Sequence, residues 1–234
     1  MRGCGAGRDG RGDDYPGEVI LAVDTSLGTA VALIDPDGTR RAEAGTADPL
    51  GHAEVIGDLV RDVLREGGAD GITHVVAGMG PGPFTGLRIG IATARAFALG
   101  RGIPVVPVPS HTAAALTIQA TVTGPFAIVT DARRREVYWA HYAQVGGQPT
   151  LLHGPFVSPA DEVTPLPVYG AGAGLYPEAL RAVPDWESAT PSAVGVGQVA
   201  ELALRRGRGL VPAEPLYLRE SDAKVPGPRK RAGA

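Results

Sequence analysis

The feature that most constrains the fold is a short pattern that occurs twice in the chain. Residues 19–24, VILAVD, form an apolar run that ends in Asp24, and residues 126–131, FAIVTD, form another that ends in Asp131. A polar turn and a second apolar run follow each carboxylate, and the two copies align without a gap. Short apolar runs of this kind predict buried β-strands. The pattern therefore predicts a duplicated unit of strand, Asp, turn and hairpin strand, which favours two lobes.

The remaining segments predict an α/β fold in which each lobe is a mixed β-sheet with packed helices. Helices are predicted at residues 52–65, 85–99, 110–120, 176–181 and 192–206. Further strands are predicted at residues 29–34, 39–45, 72–77, 103–108, 136–142, 150–157 and 167–170. The expected division is a disordered N-terminal extension over 1–18, an N-lobe over 19–110, a C-lobe over 111–220 and a disordered basic tail over 221–234.

A glycine- and proline-rich turn over residues 78–86 leads into a helix with small side chains, among them Gly86, Gly90 and Ala94. Each glycine inside a helix costs about 1 kcal/mol relative to alanine, so a physical reason is needed to keep it there. Two explanations stay open: close approach of another backbone, or an anion held by N–H groups at the helix N-terminus. The residues expected to contact such an anion, or a nucleotide, are Asp24, Gly80, Gly82, Thr85 and Arg88. No Lys follows the turn and no acid ends the next strand, so neither a P-loop nor a dinucleotide-binding fingerprint is indicated.

Charge, cysteine content and histidine spacing exclude several classes of function. The net charge of −3 argues against nucleic-acid binding by bulk electrostatics alone. Cys4 is the only cysteine, so no internal disulfide can form, which is typical of a cytoplasmic protein. The chain has no apolar run long enough for a signal peptide or a membrane span, so we expect a cytoplasmic protein that does not enter a membrane. His52 and Glu54 stand two residues apart and face different directions on a helix, so no metal site is predicted.

Five segments, in order, resemble one protein family: residues 20–26, 51–54, 80–90, 131–134 and 215–219. Their sequences are ILAVDTS, GHAE, GPGPFTGLRIG, DARR and PLYLR, and together they are similar to the TsaB family, also called YeaZ. This resemblance covers about residues 19–219 and implies the two-lobed actin-like ATPase (ASKHA) fold. The sequence departs from the family at Ala53 and Pro83, where serine is usual. Because Pro83 has no N–H group, it weakens any anion site in the turn.

The resemblance implies a non-catalytic dimerisation and scaffold subunit whose N-lobe helices pair with the transferase subunit TsaD. In that family TsaD transfers threonylcarbamoyl to N6 of the adenosine that follows the anticodon in tRNAs reading ANN codons, and the ATPase TsaE completes the complex. The expected partners are therefore TsaD, TsaE and, through the complex, tRNA, with a homodimer when TsaD is absent. No cofactor of the chain's own is implied, while ATP or ADP at the subunit junction stays open. The residues expected at the partner surface are Val55, Leu59, Val63, Gly86, Gly90, Ile91 and Ala94.

A stand-alone actin-like ATPase or kinase is the alternative. Such an enzyme needs glycines directly after its first Asp so that phosphates can approach the backbone, whereas Thr25-Ser26-Leu27 follows Asp24. The second copy continues as Ala132 and three arginines, Arg133, Arg134 and Arg135, which form either a solvated turn or a contact with tRNA or a partner. A protease, the third alternative, lacks a visible metal pair and a nucleophile elbow. No catalytic residue is therefore predicted.

Overall fold

A computed structural model describes residues 18–48, 51–163, 165–206 and 214–219 of the 234-residue chain. The extension expected over 1–18, apart from Glu18, and the basic tail expected over 221–234 lie outside the described residues. None of the described helices is long and apolar enough to cross a bilayer.

The described part of the chain contains nine strands and four α-helices, and each sheet begins with three consecutive strands. The strands are β1 (Val19–Asp24), β2 (Thr29–Ile34), β3 (Arg40–Thr46), β4 (Ile72–Gly78), β5 (Val105–Val108), β6 (Phe126–Arg133), β7 (Glu136–Val145), β8 (Gln148–Pro159) and β9 (Val168–Tyr169). The α-helices are α1 (His52–Gly67), α2 (Phe84–Arg101), α3 (Ser110–Thr117) and α4 (Ala193–Arg205). Short 3₁₀ turns connect the elements that follow β8.

The strands form two mixed sheets that repeat one topology. The first sheet has the order β3-β2-β1-β4-β5, and the second has the order β8-β7-β6-β9. In each sheet the Asp-bearing strand pairs antiparallel with the next strand and parallel with a later one. Even the register agrees, since Asp24 lies opposite Ala30 and Asp131 lies opposite Val137, six residues on in both cases. The predicted duplication and the two mixed sheets are confirmed.

Helices cover both faces of the first sheet, which explains why its central strand, β1, is almost entirely apolar. Leu21 and Val23 of β1 point into the core under α1 and α2. Ile20 and Ala22, on the opposite face of the same strand, pack under α4. β1 is buried at all six positions, because its alternating side chains enter two different cores.

The position of α4 corrects the predicted C-lobe boundary. Residues 193–205 follow the second sheet in sequence, but Val196 and Ala200 pack on the first sheet together with Ile34. The approach is close, because a Cβ on Gly197 would lie 2.5 Å from Ile34 Cγ1 and 3.2 Å from Ala22 Cβ. The prediction that one lobe contains all of 111–220 is therefore wrong for α4, which returns to the first lobe.

In the described residues, one helix predicted beside the second sheet is absent. α3 covers one face, where Phe126 and Tyr142 are buried. At residues 176–181, where a helix was predicted, the structure has turns instead. The end of this segment pairs with β9 through backbone contacts. Val168 N donates a hydrogen bond to Arg181 O (3.0 Å), and Val168 forms a parallel β-bridge with Ala182.

Candidate functional site

Asp24, the carboxylate of the first copy, joins three segments of the first lobe. Its side chain is 3% exposed and accepts hydrogen bonds from Ser26 N (2.9 Å), Ser26 Oγ (2.6 Å) and Ser110 Oγ (2.6 Å). Burial raises the pKa of Asp24, and the hydrogen bonds from Ser110 and Ser26 oppose that rise. Ser110 is the first residue of α3, after Pro109 at the N-cap position, and its hydroxyl donates to Asp24. Both carboxylate oxygens of the buried Asp24 are thus hydrogen-bonded within the chain.

The glycines of the turn and of α2 lie against the loop that follows Asp24. A Cβ on Gly82 would lie 2.8 Å from Ser26 O, and one on Gly86 would lie 2.9 Å from Thr25 O. A Cβ on Gly90 would lie 2.8 Å from Thr25 Cγ2 and closer still to its Oγ1. Close approach of another backbone, one of the two explanations left open by the sequence, is therefore confirmed for Gly82 and Gly86.

A cleft of about 610 Å³ opens between the two lobes, next to this packed turn. We call it the interlobe cleft. The first lobe contributes His52, Glu54, Gly82, Phe84, Thr85 and Ile89, among others. The second lobe contributes Asp131, Ala132, Arg133 and Tyr138, and the C-terminal segment contributes Tyr217, Leu218 and Arg219.

The structure does not bring the five predicted anion-contact residues together. Gly82 and Thr85 line the interlobe cleft, whereas Asp24 and Gly80 are buried beside it. The Arg88 guanidinium lies over the Phe84 ring, 4.8 Å from its centroid, and Arg88 does not line the cleft. The grouping of these five residues as one site is therefore wrong.

Charged groups in the interlobe cleft are held by neighbours of their own chain. Asp131 Oδ1 accepts a hydrogen bond from Arg133 N (2.7 Å), and its Oδ2 lies 3.7 Å from Arg133 Nε. His52 Nδ1 lies 2.7 Å from Thr29 Oγ1, within hydrogen-bond distance. Within the described ranges, no three His, Cys, Asp or Glu side chains are grouped so that they could hold a metal ion.

Most of the residues predicted at the partner surface are buried in the core of the first lobe. Five of the seven are buried against the first sheet and its loop: Val63, Gly86, Gly90, Ile91 and Ala94. The prediction that these five contact the partner is therefore corrected, because Val63 of α1 and the small-residue side of α2 both face inward. Val55 and Leu59, on α1, remain half-buried at the surface.

The opposite side of α2 is an exposed surface that the sequence analysis missed. We call it the outer α2 face, and it consists of Arg88, Ala92, Arg95, Ala96 and Leu99. Leu99 is 84% exposed. Four of the five residues follow the spacing i, i+4, i+7, i+11, which is one stripe of a helix. The sequence alone shows that spacing. Only the structure shows that this stripe faces outward, because the glycine side of α2 is buried.

The arginine turn, Arg133 to Arg135, has an unusual backbone. All three residues have positive φ, at 65°, 53° and 65°. Arg134 and Arg135 form the two-residue connection between β6 and β7, a position where Asn and Gly are favoured. The structure exposes all three arginines at the tip of this hairpin.

Comparisons with known proteins agree with this architecture. A family model described as "TsaD: tRNA N6-adenosine threonylcarbamoyltransferase" matches residues 50–177, more than half of the chain. An uncharacterized protein of Mycobacterium tuberculosis is 39% identical over 210 residues, which cover 88% of this chain and 93% of that one. The tRNA threonylcarbamoyladenosine biosynthesis protein TsaB of Escherichia coli is 30% identical over 234 residues, with 89% and 98% covered.

Among solved structures, YeaZ from Pseudomonas aeruginosa superposes with a TM-score of 0.72 at 31% identity, and covers 86% of this chain and 100% of its own. The two duplicated mixed sheets, the near full-length match to TsaB and the superposition on YeaZ agree with the resemblance drawn from the five segments. The chain belongs to the TsaB (YeaZ) family and has its actin-like ATPase-type fold.

Proposed function

We propose that this chain is the non-catalytic scaffold subunit that binds a TsaD-type transferase in the synthesis of N6-threonylcarbamoyladenosine on tRNA. The relative named for tRNA threonylcarbamoyladenosine biosynthesis aligns over 98% of its own length, which supports the same role here. In this proposal the TsaD partner modifies the adenosine that follows the anticodon in tRNAs reading ANN codons. A TsaE-type ATPase and tRNA join the complex in the cytoplasm.

The outer α2 face is the observation that carries the proposal. Ala92 and Ala96 let another helix approach closely, and Leu99 offers a large apolar side chain to bury. Burying an exposed leucine contributes about 2 kcal/mol. Since α2 contains arginines and no acidic residue, we expect a partner helix with an apolar centre and an acidic rim.

The edge of α1 extends this surface. Val55 and Leu59 are half-buried there, and Leu59 packs against the same core as Ile89 and Phe97 of α2. The outer side of α1 is charged, with ion pairs from Asp58 to Arg61 and from Asp62 to Arg65 that contribute little at such exposure. We therefore propose that the partner sits mainly on α2 and reaches α1 at Val55 and Leu59. The same surface forms the homodimer when TsaD is absent.

The packed turn supports a non-catalytic role. A phosphate-binding actin-like enzyme needs open backbone after its first carboxylate, whereas Ser26 lies against Gly82 and Asp24 is buried. The ATPase or kinase alternative therefore has no observation in its favour. We propose that ATP or ADP, when present in the complex, is held at the subunit junction and not by the loop after Asp24.

The test of the surface uses two matched leucines. Leu99→Asp introduces a charge on the outer α2 face, while Leu152→Asp does so on β8 of the second lobe, where Leu152 is 54% exposed. We expect Leu99→Asp to weaken binding to the TsaD-type subunit of the same organism by at least about 30-fold, the equivalent of about 2 kcal/mol. Leu152→Asp should bind like the wild type. Equal affinity of all three proteins, each shown to be folded by circular dichroism, would refute the surface.

The function itself is tested in cells. Mass spectrometry of tRNA nucleosides should show loss of threonylcarbamoyladenosine when this chain is depleted, and recovery with the wild type or Leu152→Asp but not with Leu99→Asp. Unchanged modification after depletion would refute the functional proposal. If depletion abolishes the modification but Leu99→Asp binds TsaD normally, only the assignment of the outer α2 face as the binding surface is refuted.

A further inference from the structure

We propose that residues 214–219, which we call the C-terminal strap, act as a clasp that holds the two lobes together across the interlobe cleft. The strap has no regular secondary structure, yet Tyr217, Leu218 and Arg219 line the cleft. It contacts one lobe with its middle residues and the other lobe with its last described residue. This inference concerns the chain alone and does not depend on the partner proposed above.

The first anchor of the strap is on the first lobe. Leu216 N donates a hydrogen bond to Met79 O (2.9 Å), at the start of the glycine-rich turn. The Tyr217 ring lies 4.8 Å from the Phe84 ring, centroid to centroid, at an angle of 52°. Phe84 is the first residue of α2, so the strap contacts the first lobe at the N-terminus of this helix.

The second anchor is on the hairpin of the second lobe. Arg219 Nη1 donates a hydrogen bond to Ala132 O, and Arg219 Nε lies 3.7 Å from Glu136 Oε2. The Arg219 side chain is 19% exposed, so its guanidinium is mostly shielded from water. A hydrogen bond from a charged donor in such a setting is stronger than one between neutral groups.

The strap and α3 join the lobes at different places. α3 follows β5 of the first sheet directly, and His111 and Thr112 on it reach Thr130 Oγ1 (2.9 Å) and Tyr142 OH (3.1 Å) of the second lobe. At the cleft itself Tyr138 OH of the second lobe donates a long hydrogen bond to Gly82 O of the first lobe (3.4 Å). The chain also crosses back to the first lobe where it enters α4, which packs on α3 at Gly195 and Ala113, so that link lies at the α3 end as well. Two bodies joined at one end by these helices and at the cleft by a short segment form a hinge with a clasp. Release of the strap is expected to let the interlobe cleft open about α3.

The test measures the distance between the lobes in the full chain. The native cysteine, Cys4, is first replaced by Ser. Spin labels are then attached at Glu66→Cys on α1 and Thr150→Cys on β8, two exposed positions outside the strap. Double electron–electron resonance spectroscopy measures the distance between the two labels. We expect one narrow distance peak for the intact strap. The double variant Tyr217→Ala/Arg219→Ala should give a distribution about twice as wide and shifted to longer distances. Arg206→Ala, an exposed arginine at the end of α4, is the matched control and should leave the peak unchanged.

A milder variant keeps the proposal testable if the double variant fails to fold. Arg219→Gln removes the charge and leaves the Tyr217–Phe84 contact in place, and we expect partial widening of the distance peak. Hydrogen exchange of the Leu216 amide should also become about tenfold faster, because that amide is protected only while the strap is docked. A folded strap variant with the wild-type distance distribution and wild-type Leu216 exchange would overturn the clasp.

Discussion

Replacing Gly90 by alanine tests whether the small side of α2 is required inside the chain. The added Cβ would lie 2.8 Å from Thr25 Cγ2 and 3.1 Å from Thr25 Cβ. Thr25 cannot move into solvent, because it is 1% exposed and its Oγ1 donates a hydrogen bond to Gly86 O (2.8 Å). The Thr25 side chain must rotate and lose that hydrogen bond, and α2 must also shift, because rotation does not move Thr25 Cβ.

The opposing free energies can be compared. Alanine in a helix interior is favoured over glycine by about 1 kcal/mol. Overpacking a well-filled core costs about 1 to 3 kcal/mol, and a buried hydroxyl or carbonyl left unpaired costs a further 1 to 3 kcal/mol or so. We therefore expect Gly90→Ala to lower the free energy of unfolding by about 3 kcal/mol.

The assay is urea unfolding at 25 °C, with Gly57→Ala as the control. Gly57 is an exposed glycine inside α1, and nothing lies within 4 Å of the Cβ that the substitution would add. Gly57→Ala should therefore raise the free energy of unfolding by about 1 kcal/mol. In a Thr25→Ala background the cost of Gly90→Ala should fall by about 2 kcal/mol, since Oγ1 and Cγ2 are gone and only the contact with Cβ at 3.1 Å remains. If Gly90→Ala stabilises the protein as Gly57→Ala does, the close packing of α2 on the Asp24 loop is refuted.

Two further predictions concern a buried histidine and the arginine turn. Burial lowers the pKa of His111 to about 3, from an ordinary value of 6.5, so the unfolded chain binds a proton there that the folded chain does not. Stability should then fall as the pH drops from about 6.5 towards 3, by up to about 1.4 kcal/mol per pH unit, and His111→Gln should flatten that slope in urea midpoints measured between pH 7 and pH 4.5. Replacing Arg134 and Arg135 by Asn and Gly should raise the free energy of unfolding by about 1 to 2 kcal/mol, because both positions have positive φ. If these arginines contact tRNA, the same change should weaken tRNA binding by the complex and reduce its salt dependence by about one unit of log–log slope per lost phosphate contact. An unchanged slope would mean that the turn does not contact tRNA.

Features that depend on nearby residues were predictable from the sequence. α1 was predicted over 52–65 and extends over His52–Gly67, because an apolar stripe and terminal glycines define a helix locally. Both carboxylates accept a hydrogen bond from the backbone N–H two residues on, at Ser26 and at Arg133. Such a turn forms within three residues, so the repeated pattern of strand, Asp and turn was already visible in the sequence.

Tertiary contacts decided where those elements lie and which sides they present. α2 carries small residues on both its buried and its exposed sides, so its sequence gave no direction for the partner surface. The contact between Thr25 and Gly86, which are 61 residues apart in the sequence, determines which side of α2 faces inward. Likewise, α4 follows the second sheet in sequence but packs on the first, where Gly197 lets it approach Ile34. The strap joins both lobes through backbone groups of Met79 and Ala132 that no residue pattern reveals. The sequence alone determined the repeated local units. Which side of α2 is exposed, and where the strap crosses the cleft, were decided only by the packing of segments that are far apart in the sequence.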